Sequence, residues 1–202
     1  MKPIHIVGNG KSAALYNYAQ RDGTTYTCNL PPFSIPQAKA TFMVDFKMMK
    51  AIHEGSVQVP GDWVVGSRPK KYTEMNPNFY LKYAPQIKEF YLDIPKYAGN
   101  YTNFNCGHMA TYYCAAKLGA QDIHMYGFDS IFGPELQSCT DFYLQSDRSV
   151  GNSVRLAGNW RPIWEQMFHQ FKDTTFHLHY FKKNAHALIN FPDNVNVVID
   201  RK

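Results

Sequence analysis

Between residues 107 and 118 nearly every side chain is small or apolar: Met109, Ala110, Tyr112, Cys114, Ala115, Ala116 and Leu118 leave no broad polar face. A helix of that kind has to be covered on most sides, so it belongs against a sheet and not on a surface. Gly119 suits the left-handed residue that closes such a helix. Residues 123–126 are long and apolar enough to be the strand that follows. A buried helix feeding a buried strand is half of a repeating unit, and the expected fold class is therefore α/β, a three-layer Rossmann-like domain with a mostly parallel central sheet. Both ends of the unit suit a ligand. Asn105, Cys106 and Gly107 open the helix, where backbone amides lack intrahelical partners and favour an anion. Gly127, Phe128 and Asp129 follow the strand's carboxyl end, where open α/β sheets keep their ligands. Asp129 also has a plain local reading as the cap of a turn.

The start of the chain has the same grammar. Residues 3–7 read as a strand, Gly8-Asn9-Gly10-Lys11-Ser12 as a tight turn, and Ala13, Ala14, Leu15 and Tyr18 as the apolar side of a helix. Three readings of the turn stay open. Gly10-Lys11-Ser12 ends like a phosphate-binding Walker loop, but the glycine that loop needs five positions earlier is His5. Gly8, Gly10 and Ala13 fit the G-x-G-x-x-G/A dinucleotide pattern. A ligand-free strand-to-helix turn uses glycine for the same backbone reasons. Residues 24–29 form the next strand, and Asn29 stands where a dinucleotide fold places its ribose-binding acid, so an ordinary NAD enzyme is disfavoured. Residues 40–44 form a third strand ending at Asp45, with a short helix after it.

Residues 63–65 read as a brief strand and 66–85 as an excursion without a clear period. Residues 87–92, 175–180 and 196–199 read as further strands, the last an edge strand despite its Walker B look. Residues 130–159 are polar and glycine-bearing, a candidate lid over the site, before an amphipathic helix at 159–171.

A chain of 202 residues with 45% hydrophobic and 18% charged side chains can bury a full core, and one domain spanning residues 1–202 is expected. The four cysteines show no metal or redox spacing and read as reduced thiols of a cytoplasmic protein. Residues 1–10 do not read as a secretory signal, and no apolar run is long enough for a membrane span. The net charge of +5 is spread along the chain, which argues against nucleic acid as a partner and suits a phosphorylated small molecule. Of the eight histidines, His177 and His179 alternate on one strand without a third ligand at helical spacing. His186 is the only addition worth checking, so no metal or other cofactor is expected.

Taken in order, Ile6-Val7-Gly8-Asn9-Gly10-x-Ser12, Cys28-Asn29, the Gly107 helix closing at Gly119, and Gly127-Phe128-Asp129 resemble the bacterial sialyltransferases that modify lipooligosaccharide. The resemblance implies a nucleotide-sugar donor, CMP-sialic acid in that family, and a glycan acceptor. It places Gly8, Asn9, Gly10 and Asn29 along the nucleotide, Asn105, Cys106 and Gly107 near the phosphate, and Gly127, Phe128 and Asp129 near the base. The same glycine turn also resembles pterin pyrophosphokinases with a Rossmann-like core.

The departures are specific. That family uses a histidine base before the late helix, yet no histidine lies between Ile131 and Trp160. Ile131 and Gln137 stand near the positions of its phosphate-assisting tyrosines, and Asp45 replaces an asparagine. Glu135, Asp141 and Asp147 are the candidate bases that remain, since a carboxylate in reach of an acceptor hydroxyl can take its proton. Tyr143 and Arg148 are the candidate phosphate contacts. The expected function is a sialyltransferase-like glycosyltransferase. The alternatives are a catalytically silent nucleotide-binding or interaction module, and a phosphotransfer enzyme using Gly10-Lys11-Ser12.

Overall fold

The structure, a computed structural model, describes residues 2–18, 21–97, 104–133, 149–181 and 187–199. Its centre is one eight-stranded, all-parallel sheet of order β5-β4-β3-β2-β1-β6-β7-β8. The strands are β1 (Ile4–Val7), β2 (Thr24–Cys28), β3 (Ala40–Met43), β4 (Trp63–Val65), β5 (Ile87–Phe90), β6 (Asp122–Tyr126), β7 (Thr175–Tyr180) and β8 (Val195–Ile199). β1 is buried at all four positions, as a central parallel strand covered on both faces must be. β8 lies at the edge and is half-exposed.

The helices are α1 (Phe46–His53), α2 (Ser67–Met75), α3 (Pro77–Tyr83), α4 (Cys106–Tyr112) and α5 (Val150–Gln170). α4 continues through a widened π turn, Tyr113–Lys117, and Gly119 then closes it with φ +63°. α4 and α5 cover one face, where Met109, Ala110, Cys114, Ile163, Trp164 and Phe168 meet the inward side chains of the central strands. On the other face α1, α2 and α3 bury Met48, Met49, Ile52, Tyr72 and Phe79 against β3, β4 and β5. This is the three-layer Rossmann-like arrangement. Among the described residues no helix is long and apolar enough to cross a membrane.

Three local expectations are corrected. Residues 66–85 are not an irregular excursion, since α2 and α3 fill most of them. Pro69 and Pro77 fall in first turns, where the missing N–H of proline leaves no helical bond unmade. Residues 150–159, expected within a lid, are the first half of α5. Gly151 and Gly158 sit there in open space, where a Cβ would meet nothing within 4 Å. After β1 the chain forms only a 3-10 turn, Lys11–Leu15, and turns extended at Tyr16. The rest of the candidate lid, residues 134–148, lies outside the described residues, and so does His186.

Candidate functional site

The sheet order fixes where a ligand can sit. β1 through β5 are laid down in one direction from the centre, and β6 through β8 in the other, so the chain reverses between β1 and β6. Crossover connections leave those two strands on opposite sides and open a crevice at their carboxyl ends. A cavity of ≈ 160 Å³ lies there. It is lined by nine of the residues expected at the site: Gly8, Asn9 and Gly10 after β1, Asn105, Cys106 and Gly107 at the start of α4, and Gly127, Phe128 and Asp129 after β6. Asn29 does not line it, but its Nδ2–H bonds the Cys106 sulfur at 3.2 Å from the side.

The glycines of the first turn serve packing before they serve a ligand. The Gly8 amide donates to the Tyr126 carbonyl at 2.7 Å and the Gly10 amide to the Gly127 carbonyl at 2.9 Å. These two amides are therefore not available to a phosphate. A Cβ on Gly10 would lie 2.7 Å from the Gly127 carbonyl oxygen, which is backbone and cannot swing aside. Gly10→Ala is expected to destabilise the protein by about 1–3 kcal/mol, the usual cost of overpacking. Gly151→Ala, in an open helical position, should gain about 0.5–1 kcal/mol. Urea unfolding of both variants checks the pair, and equal effects would contradict this packing.

Asp129 holds the two loops together. Ser12 donates its backbone amide to the Asp129 carboxylate at 3.1 and 3.3 Å and its hydroxyl to the same group, while that hydroxyl accepts from the Gly127 amide at 3.0 Å. Burial pushes the Asp129 carboxyl above the usual range, and the Ser12 bonds pull it back. The expected local cap is not what it does: the turn at Asp129–Ile131 has no side-chain cap, and the Asp129 carboxylate instead serves the distant turn at Lys11–Leu15.

At the start of α4, Asn105 accepts from the His108 amide at 2.9 Å, and His108 Nδ1 accepts from the Asn105 amide at 3.1 Å. This reciprocal capping box is usually built with a glutamate or glutamine in the histidine's place. It leaves the Cys106 and Gly107 amides as the helix's first donors, both from residues that line the cavity. A Cβ on Gly107 would run into the Phe128 ring, so only glycine admits that ring against the helix. The Cys106 thiol is held well above its ordinary value by the neighbouring Cys28 thiol and by burial, which makes it a neutral wall group and no nucleophile.

Residues that the sequence reading did not assign complete the lining. Trp160 and Trp164 come from α5, Cys28 from the end of β2, and Ser130 follows Asp129. The signal for the tryptophans was their i, i+4 spacing on the expected late helix. Trp164 packs edge-to-face on Phe128 at 5.4 Å between centroids and sits 4.2 Å from the His108 ring. Asp45 also lines the cavity, and Arg68 lies 3.7 Å from its carboxylate, so its charge is partly compensated. Among the described residues, no lysine or arginine lines the cavity.

Among the described residues, three buried polar atoms beside this cavity have no hydrogen-bond partner: the Asn29 Oδ1 acceptor, the Trp164 Nε1–H donor and His108 Nε2. Buried polar groups are nearly always paired, so each is an open valence for a ligand or water. Asn29 is also the one non-glycine residue with positive φ, +51°, among the described residues. Such a conformation carries a cost and gathers at binding sites. The candidate bases Glu135, Asp141 and Asp147 and the candidate phosphate contacts Tyr143 and Arg148 lie outside the described residues. The segment that leads to them is anchored, since Arg161 of α5 donates to the Ser130 and Gly133 carbonyls at 3.1 and 2.7 Å. No family model, curated protein or solved structure matches this chain.

Proposed function

We propose that this protein binds a nucleotide-sugar at the β1/β6 crevice and transfers the sugar to a glycan acceptor, in the manner of a CMP-sugar-dependent sialyltransferase. The observation that carries the binding half is the cavity at the topological switch point, with the unpartnered Asn29 Oδ1 and Trp164 Nε1–H beside it. A cytosine edge or ribose hydroxyl both donates and accepts hydrogen bonds, which is what those two groups call for. Phe128, Trp160 and Trp164 give a ring system a wall to lie on, and the Cys106 and Gly107 amides meet a phosphate at a helix start. At ≈ 160 Å³ the cavity takes a base or a phosphate, and the remainder of a donor extends past the sheet edge.

The transfer half rests on the resemblance of the motifs. Asp129 is no candidate base, because its oxygens are occupied by Ser12. That leaves Glu135, Asp141 and Asp147 for deprotonating the acceptor. A second reading, a silent nucleotide-binding module, is favoured by the same occupancy, together with the Arg68 pairing of Asp45.

Thermal denaturation with CMP, UDP, GDP, ATP and a pterin tests the binding. At a hundredfold excess over Kd the true ligand stabilises by about 2.7 kcal/mol, a rise of roughly 5–10 °C in Tm for a chain of this size. CMP is expected to give it, and replacing Asn9 with tryptophan is expected to remove it while the protein stays folded. A shift with magnesium ATP alone would favour phosphotransfer. A CMP shift without consumption of any CMP-sugar would favour the silent module.

A further inference from the structure

The second face of the sheet is covered unevenly. α1, α2 and α3 pack over β3, β4 and β5, but over β6 and β7 the same face carries a row of imidazoles. The parallel register sets His5 of β1 beside His124 of β6, and His124 beside His177 of β7. Side chains two apart on a strand share a face, so Asp122 joins His124 on β6, and His179 joins His177 on β7.

The geometry of three of these groups is that of a ligand set. Asp122, His124 and His177 each offer one ligand atom, and all three atoms lie within 4.8 Å of one another. Asp122 Oδ1 is 3.0 Å from His177 Nε2 and 3.4 Å from His124 Nε2. Ligands about 2.0–2.2 Å from a tetrahedral ion stand about 3.3–3.5 Å apart, so two of the three separations are close to that already. Asp122 Oδ1 is sealed from solvent yet accepts no hydrogen bond, because neither imidazole meets it in bonding geometry. A buried carboxylate oxygen without a donor calls for a cation or a water.

The surroundings orient the imidazoles. Both Nε2 atoms face Asp122 Oδ1, while the His124 and His177 rings stack at 4.4 Å with 12° between their planes, so closing on one ion requires one imidazole to turn about its Cβ–Cγ bond. His124 Nδ1 is 2.9 Å from His179 Nε2, and His179 in turn stacks on Tyr126 at 4.1 Å. A partner at Nδ1 fixes the tautomer that presents Nε2 to a metal, the usual outer-shell arrangement for a metal-binding histidine. His5 is not a ligand, since its Nε2 is 2.9 Å from the Asp22 carbonyl. The side chains of His124, His177 and Asp122 keep 21%, 23% and 43% exposure, so the cluster borders solvent although Asp122 Oδ1 itself is covered.

We infer that Asp122, His124 and His177 form a binding site for one divalent transition-metal ion of the zinc class, on the sheet face opposite α4 and independent of the nucleotide crevice. Two imidazoles and one carboxylate suit such an ion, and three protein ligands leave a coordination position for water. The site was hidden in the sequence because its ligands come from two strands far apart in the chain, with His124 and His177 brought side by side only by parallel pairing.

The test uses the untagged full chain, stripped with chelator, and Zn2+ alone as the probe, followed by calorimetric titration. One ion per chain is expected for the wild type, and Co2+ in its place should give the visible d–d absorption of a low-coordinate site. Asp122→Asn, His124→Gln and His177→Gln should each weaken Zn2+ at least about tenfold, while His169→Gln on α5 should leave it unchanged. If a variant unfolds, diethyl pyrocarbonate labelling of the wild type gives the answer instead, with His124 and His177 protected by Zn2+. Absence of stoichiometric uptake, variants that bind like the wild type, or unprotected His124 and His177 would each overturn the site.

Discussion

Replacing Trp164 with alanine is expected to cost about 3–5 kcal/mol of stability and to abolish nucleotide binding, whereas phenylalanine at the same position should keep the fold and still weaken the ligand. Trp164 is 1% exposed, and it closes the cavity between Phe128, His108 and Phe168. Removing so large a buried side chain forfeits its transfer free energy and leaves a void that its neighbours only partly fill. Phenylalanine retains most of the packing but lacks the indole N–H. That N–H has no partner in the free protein, so its loss costs little there. A ligand acceptor bonded to it would lose a bond worth about 0.5–1.5 kcal/mol. Chemical denaturation and ligand titration on the two variants separate these effects. A loss below about 1 kcal/mol in Trp164→Ala would contradict the packing described here.

Acidification should destabilise the protein in part through His108. Burial is the main reason that its imidazole is pushed down to about 3, with the nearby Trp160 backbone pulling weakly the other way. The unfolded chain protonates near 6.5, above the folded value, so as the pH falls the unfolded state takes up the proton first. Stability from keeping this ring neutral is complete above about pH 6.5 and is lost progressively toward pH 3, roughly 3 kcal/mol of it by pH 4. His108→Gln separates this from general acid effects. Glutamine at the third helical position can still accept from the Asn105 amide and so keeps the capping box, but it does not titrate. The gap in unfolding free energy between the two proteins should be constant above pH 6.5 and close in the variant's favour below it. Parallel acid limbs would show that His108 is not the titrating group.

The parts of this fold that could be read in the sequence are those where one pattern answers to one physical demand. Ile4–Val7 and Trp63–Val65 are short, mainly apolar runs and Thr175–Tyr180 alternates with period two, and all three are strands. The enclosed helix after Asn105 and the loop after Tyr126 were legible because a helix without a polar face and a strand-end glycine each admit few placements. Misreadings came where a residue has opposite meanings by position. Pro69 and Pro77 look like breakers until they are seen in first turns, and Gly151 and Gly158 look like loop until they are seen on the open side of α5. The glycines of the Gly8-Asn9-Gly10 turn suggested backbone approach to a nucleotide, but close approach to Gly127 is what requires them. Only the sheet order could show that the β1 turn and the β6 loop face one another across one crevice, or that Asp122, His124 and His177 converge on the opposite face.

The central claim is that the crevice between β1 and β6 holds a cytidine nucleotide. Titration of CMP into isotopically labelled protein, followed by backbone amide chemical shifts, tests it most directly. The largest shifts are predicted at Asn9, Cys106, Gly107 and Phe128, with the Trp164 indole N–H moving downfield as it gains its acceptor. No change at millimolar CMP, or shifts confined to residues away from this crevice, would contradict the account.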